Sequence, residues 1–150
     1  MEKSIPGKFF GRFKLERDEN FDEYLASKGV NWFLRKMIAF SSVTKVLQRS
    51  INQENRYNMY NLSSRNTKWE NWALDETFEN IGLDGTQHKI TFSLPNADTL
   101  TEKHIRMENP NDPGETYYYT VENDYLVLKM QNDTLTCRRF FKRLPDSEQQ

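Results

Sequence analysis

The sequence GRFKLERDENFDEYL, residues 11–25, runs from a strand directly into a helix. Phe13 and Leu15 alternate with charged residues, which is the pattern of a half-buried strand. Asn20 followed by Glu23 forms a capping-box pattern, in which each residue satisfies a free backbone N–H group at the start of a helix. This stretch therefore predicts a short strand followed at once by a capped helix.

A second helix follows the first. Gly29 is expected just past the end of the first helix, where a residue in the left-handed conformation is needed. Over residues 30–40, apolar side chains recur at spacings of three and four, with Arg35 and Lys36 on the other side. The two segments predict a helix-turn-helix lid.

Beyond Ser42 the apolar period changes to two, and turn-forming residues separate the short segments. The predicted strands cover residues 43–51, 56–62, 68–74, 78–83, 88–94, 99–107, 116–121, 125–131 and 134–142. Short links between consecutive strands indicate an up-and-down meander, and closure into a barrel removes its exposed edges. Aromatic residues make up 13% of a chain that is only 36% hydrophobic, which is typical of large rings spread along the strands of a hollow barrel.

Composition limits the function classes. A length of 150 residues predicts a single domain, residues 1–150. The 21 basic and 22 acidic residues are mixed and nearly cancel, which argues against a nucleic-acid partner. Cys137 is the one cysteine, so it is either a small buried thiol or a nucleophile. The two histidines and the acidic residues form no metal-ligand pattern, and we expect neither a metal, a cofactor nor enzymatic activity.

With these features the chain resembles the fatty-acid-binding proteins of the intracellular lipid-binding protein (calycin) family. The resemblance rests on the matches Gly11-x-Phe13-x-Leu15, Asn20-Phe21-Asp22-x-Tyr24-Leu25, Gly29-Val30, Arg35 and the segment Thr136–Arg143. The long turn Asn109–Gly114 is most like the secreted nematode branch. The resemblance implies an all-β fold, a ten-stranded antiparallel up-and-down barrel (lipocalin-like) capped by a two-helix lid. It also implies a monomeric, non-enzymatic carrier that holds one long-chain fatty acid, or a similar hydrophobic carboxylate, for storage or transport.

The same resemblance suggests where the ligand carboxylate binds. Arg139 corresponds to the family's clamp arginine, while Phe141 replaces the tyrosine that normally follows two residues later. Because alternate residues of a strand share a face, Arg139 and Phe141 lie on one side together with Cys137. The opposing interpretation is that Arg139 belongs to a solvated basic strand. If Leu100 faces inward, then Glu102, His104 and Arg106 also project into the barrel, and Arg106 is a further candidate for the carboxylate.

Candidates for the ligand tail or its portal are apolar residues of the lid and the barrel. They are Phe21, Leu25, Phe33, Met37, Trp72 and Phe78. The same spacing is equally typical of helices packed onto a barrel. The lid is also expected to make transient contact with a membrane.

Three questions stay open at this level. The ligand is a fatty acid or, alternatively, a retinoid or another amphiphile. The portal face could instead dock a membrane or a receptor. The resemblance favours a secreted chain whose leader has been removed, whereas the broader family is cytoplasmic. The glycosylation sequons at Asn61 and Asn132 would matter only outside the cell.

Overall fold

Ten antiparallel strands, two α-helices and two single-turn 3-10 helices (Gly7–Phe9 and Asp146–Glu148) make up the computed structural model of this protein, which describes residues 3–149. The strands are β1 (Gly11–Glu19), β2 (Thr44–Arg49), β3 (Tyr57–Leu62), β4 (Thr67–Trp72), β5 (Phe78–Ile81), β6 (Gln87–Asn96), β7 (Thr99–Arg106), β8 (Glu115–Glu122), β9 (Tyr125–Gln131) and β10 (Thr136–Arg143). The helices are α1 (Phe21–Ser27) and α2 (Trp32–Ala39), and both lie between β1 and β2.

The strands form one sheet in the order β4-β3-β2-β1-β10-β9-β8-β7-β6-β5. Every neighbouring pair is antiparallel, so the prediction of an up-and-down meander is confirmed. Side chains join the two edge strands: Trp69 Nε1 donates to the Ile81 carbonyl at 2.9 Å, and Asn80 Nδ2 donates to the Lys68 carbonyl at 3.4 Å. These contacts bring β4 against β5 and nearly close the barrel.

A bulge in β1 changes which side chains point inward. Leu15 pairs with Phe141, but the register then shifts, so that Arg17 pairs with Phe140 and Asp18 with Arg139. An extra residue in one strand exchanges the two faces of all residues beyond it. Asp18 therefore points to the same side as Arg139, but it lies near the end of the strand and stays in contact with solvent.

The first helix begins where the sequence predicts, but for a different reason. Asn20 adopts a left-handed conformation (φ 58°), makes no capping hydrogen bond, and donates from Nδ2 to the Thr136 carbonyl of β10. The predicted capping box is therefore wrong. The prediction for Gly29 is confirmed, since its φ is 85° and the N–H of Val30 donates back to the Leu25 carbonyl.

The second helix does not pack onto the barrel. None of its described residues is buried, and Phe33 and Met37 are 67% and 55% exposed. Arg35 joins the two helices, because it donates to Asp22 of α1 at 3.0 Å and to the Val30 carbonyl at 2.7 Å. The lid thus presents an apolar outer surface to solvent.

Candidate ligand site

Arg139 points into the barrel beneath the lid. The side chain is almost entirely buried, Nε donates to Asp18 Oδ1 at 2.7 Å, and the guanidinium lies 3.9 Å from the ring centroid of Phe21. Among residues 3–149, no acceptor is assigned to its two terminal nitrogens. Since a guanidinium offers five N–H donors, Arg139 keeps donors for a further acceptor.

Phe141 lies close to two interior cations. Its ring centroid is 6.0 Å from the Arg139 guanidinium carbon and 5.6 Å from Lys45 Nζ. The phenylalanine has no hydroxyl to donate, unlike the tyrosine that the resemblance implies at this position.

Lys45 is the second interior cation, and the sequence analysis did not select it. It is 3% exposed, and Nζ donates to Asn61 Oδ1 at 2.6 Å. Asn61 in turn donates to Thr67 Oγ1 at 2.9 Å. Asn61 is fully buried by these contacts, so its sequon is inaccessible in the folded chain.

A buried carboxylate occupies the inner face of β7. Glu102 accepts from Tyr119 Oη at 2.7 Å and from His104 Nε2 at 2.5 Å. Burial alone raises the pKa of Glu102, but the hydrogen bond and charge of His104, together with Lys45 and Tyr119, outweigh burial and hold the pKa below its usual value. Glu102 is therefore an ionised, fully hydrogen-bonded acid inside the barrel.

Arg106 does not join this interior cluster. It is exposed at the end of β7, and its Nε donates to Asp84 Oδ2 at 2.7 Å. Leu100, Glu102 and His104 are all buried, so the prediction that alternate residues of β7 face inward is correct for these three. Arg106 turns away because the strand ends there and the turn before β6 supplies Asp84 as a partner.

The candidate tail residues fall into two groups. Trp72 is buried and stacks on Phe92 with ring centroids 3.9 Å apart, while Phe21, Leu25 and Phe78 are half-buried and pack against the same core. Trp72 Nε1 is the one buried side-chain polar atom of the described chain without a hydrogen-bond partner. Phe33 and Met37 lie on the exposed lid surface, away from that core.

Cys137 and the metal-ligating residue types were the remaining candidates for reactive chemistry. Cys137 is buried, and burial raises the pKa of its thiol to about 11, so the nucleophilic thiolate is scarce at neutral pH. No group of three His, Cys, Asp or Glu side chains within residues 3–149 has metal-binding geometry. No helix in the same range is long and apolar enough to cross a membrane.

Known proteins are similar to this chain in both sequence and fold. The chain is 55% identical over 140 residues to "Fatty acid-binding protein homolog 3" of Caenorhabditis elegans, covering 93% of this chain and 84% of the relative. It is 46% identical over 143 residues to "Fatty acid-binding protein homolog" of Ascaris suum, covering 94% and 87%. The solved structure "As-p18, an extracellular fatty acid binding protein" superposes with a TM-score of 0.92 at 46% identity, over 95% of this chain and all of that one. No protein-family model matches the chain.

The chain belongs to the fatty-acid-binding protein family. The resemblance read from residues 11–35 and 136–143 is thereby confirmed, as is the all-β barrel with its two-helix lid.

Two charged residues of the candidate site in this fatty-acid-binding protein, Asp18 and Lys45, were not predicted from its sequence. Asp18 follows the bulge, so simple alternation from Phe13 and Leu15 places it outside. Lys45 shares a strand face with the apolar Leu47, and this alternation could have indicated that Lys45 points inward. A lysine in a strand is usually solvated, however, so the sequence alone favours the outer face.

Proposed function

We propose that this protein is a non-enzymatic carrier that binds one long-chain fatty acid inside its barrel. The ligand carboxylate binds Arg139, and the tail lies among the inward rings, including Trp72 and Phe78. The observation that carries the proposal is the buried guanidinium of Arg139, which lies against the rings of Phe21 and Phe141 and has donors without an assigned acceptor.

Tail burial supplies most of the affinity. A tail of about 16 carbons gains about 0.8 kcal/mol per buried methylene, from which the cost of association must be subtracted. Arginine binds carboxylates in a two-pronged geometry, so its main contribution is to fix the head group and the direction of the tail.

Binding requires the lid and some interior rings to move. Phe92 and Ile90 have no solvent-accessible surface, and Trp69 is equally enclosed. A cleft of about 260 Å³ lies where Asp18 and Phe21 meet α2, close to the Arg139 head group site. We infer that the ligand enters here as α1 and α2 separate.

The head-group role is tested with Arg139→Gln and the control Arg138→Gln, whose side chain is exposed on the outer face of the same strand. Oleic acid and oleyl alcohol are titrated by displacement of a fluorescent fatty acid from the delipidated protein. We expect Arg139→Gln to weaken oleate binding about tenfold or more and to leave the alcohol unchanged, because charged hydrogen bonds are lost. If Arg139→Gln keeps both the affinity and the preference for the acid, the carboxylate binds elsewhere.

We also propose that α2 touches membranes while the ligand is transferred. Five large apolar side chains of this helix and its end are exposed together: Trp32, Phe33, Leu34, Met37 and Phe40. A patch of this kind favours insertion into a lipid surface. This second role adds to the carrier function and does not replace it.

We further propose that the carrier works outside the cell as a monomer. The similarity to a protein described as extracellular supports the compartment.

A further inference from the structure

Lys45 is a buried cation without a counter-ion. No carboxylate oxygen of residues 3–149 lies within 4.0 Å of its Nζ, and its one assigned acceptor is the neutral amide oxygen of Asn61. An ammonium has three donors, and a buried charge is costly unless it is paired. Lys45 therefore has both the charge and the donors to bind an anion.

The surrounding groups do not supply that anion. Glu102 attracts Lys45 from β7, but its oxygens, which accept from His104 and Tyr119, lie more than 4.0 Å from Lys45 Nζ. Arg139 repels Lys45 from β10. Burial, the largest cause, lowers the pKa of Lys45 to about 8; Glu102 opposes this shift, and Arg139 adds to it.

Both cations approach the same aromatic ring. Lys45 Nζ and the guanidinium carbon of Arg139 lie 5.6 Å and 6.0 Å from the ring centroid of Phe141. Lys45 Nζ is also 5.6 Å from the ring of Tyr119, whose hydroxyl is occupied by Glu102. The ring of Phe141 therefore lies near both interior cations.

We propose that Lys45 is a second head-group cation, which binds the ligand carboxylate together with Arg139 and selects acids over alcohols. This inference rests on the proposed carrier function. Asp18 already neutralises part of the Arg139 charge, whereas the Lys45 charge has no contact partner of opposite sign. Lys45 therefore contributes strongly to the preference for an anionic ligand.

The test uses the delipidated full chain with oleic acid and oleyl alcohol as probes. Lys45→Met removes the charge and keeps the length of the side chain, and Lys103→Met on the exposed face of β7 is the control. We expect Lys45→Met to bind oleate about tenfold or more weakly, with little change for oleyl alcohol. Because both cations meet one carboxylate, the losses in Lys45→Met and Arg139→Gln should not add in the double variant.

A second measurement needs no variant. Wild-type affinity for oleate should begin to fall as the pH rises above about 8, where free Lys45 loses its proton. The NMR signal of the Lys45 ammonium should shift with oleate and not with oleyl alcohol.

The outcomes separate the two proposals. Wild-type protein that rejects oleate overturns the carrier function. Wild-type protein that binds oleate overturns only the assignment of Lys45 if Lys45→Met binds it equally tightly, or if the ammonium signal does not respond.

Discussion

His88 and His104 are joined through their like nitrogens, with Nδ1 of one ring 2.8 Å from Nδ1 of the other. One Nδ1 must donate and the other accept, so this contact holds one proton. The outer nitrogens face carboxylates, since His88 Nε2 lies 2.9 Å from Asp84 and His104 Nε2 lies 2.5 Å from Glu102. The two rings therefore link Asp84 and Glu102 through one continuous chain of hydrogen bonds.

Gly82 provides the space for this histidine pair. A Cβ atom at Gly82 would lie 2.5 Å from the His88 ring. We expect Gly82→Ala to displace the ring and lower the free energy of unfolding by about 1–3 kcal/mol, because buried partners lose their hydrogen bonds. Gly7→Ala is the control, since a Cβ there meets nothing within 4 Å. Urea unfolding measures both variants, and equal stability of Gly82→Ala and wild type would contradict this packing.

Lys45 should lower the stability of the ligand-free protein. Its pKa is about 8 in the folded protein and 10.5 ordinarily, so between these values the unfolded chain binds more protons and stability rises with pH. Below pH 8 the buried ammonium is charged, and its burial lowers the free energy of unfolding by the full amount. We expect the free energy of unfolding of Lys45→Met at pH 7 to exceed that of the wild type by about 1–3 kcal/mol, after subtraction of the lost hydrogen bond to Asn61. This difference should shrink as the pH rises from 8 to 10.5. Unfolding at pH 7 and pH 10 checks this, and a variant less stable at pH 7 would show that Lys45 is stabilising.

Asp18 competes with the ligand for Arg139. Removing its charge in Asp18→Asn should strengthen oleate binding several-fold, because the guanidinium is then less neutralised. The same change should lower stability by about 1 kcal/mol. Glu19→Gln, which affects the exposed pair with Arg17 on the same strand, is the control. Fluorescent displacement measures the affinities, and weaker binding by Asp18→Asn would mean that Asp18 orients Arg139 for the ligand.

The lid surface should affect transfer and not affinity. Replacing Phe33 and Met37 together by serine should slow the transfer of a fluorescent fatty acid to anionic vesicles several-fold at unchanged affinity, since neither side chain is buried. Ile51→Ser is the control, because Ile51 is 92% exposed at the opposite end of β2. Equal transfer rates in the double variant and the wild type would remove α2 from the transfer step.

The sequence predicts most of this fold because its apolar residues recur at the regular spacings of strands and helices. Strand phase in β10 places Arg139 and Phe141 inside, and Gly29 ends α1 as predicted. The rest depends on contacts between distant residues. The bulge after Leu15 turns Asp18 inward, and the apolar spacing of α2 does not reveal that this face stays in solvent. Neither outcome is encoded in local periodicity.

The central claim is that the barrel carries one fatty acid, and native mass spectrometry of the purified protein tests it most directly. We predict a chain with one bound molecule, which dissociates on activation and has the mass of a long-chain fatty acid. After delipidation, added oleic acid should restore the one-to-one complex. A chain that is empty as purified and rejects oleic acid after delipidation would contradict the account, and binding of retinoic acid in that case would identify a retinoid carrier instead.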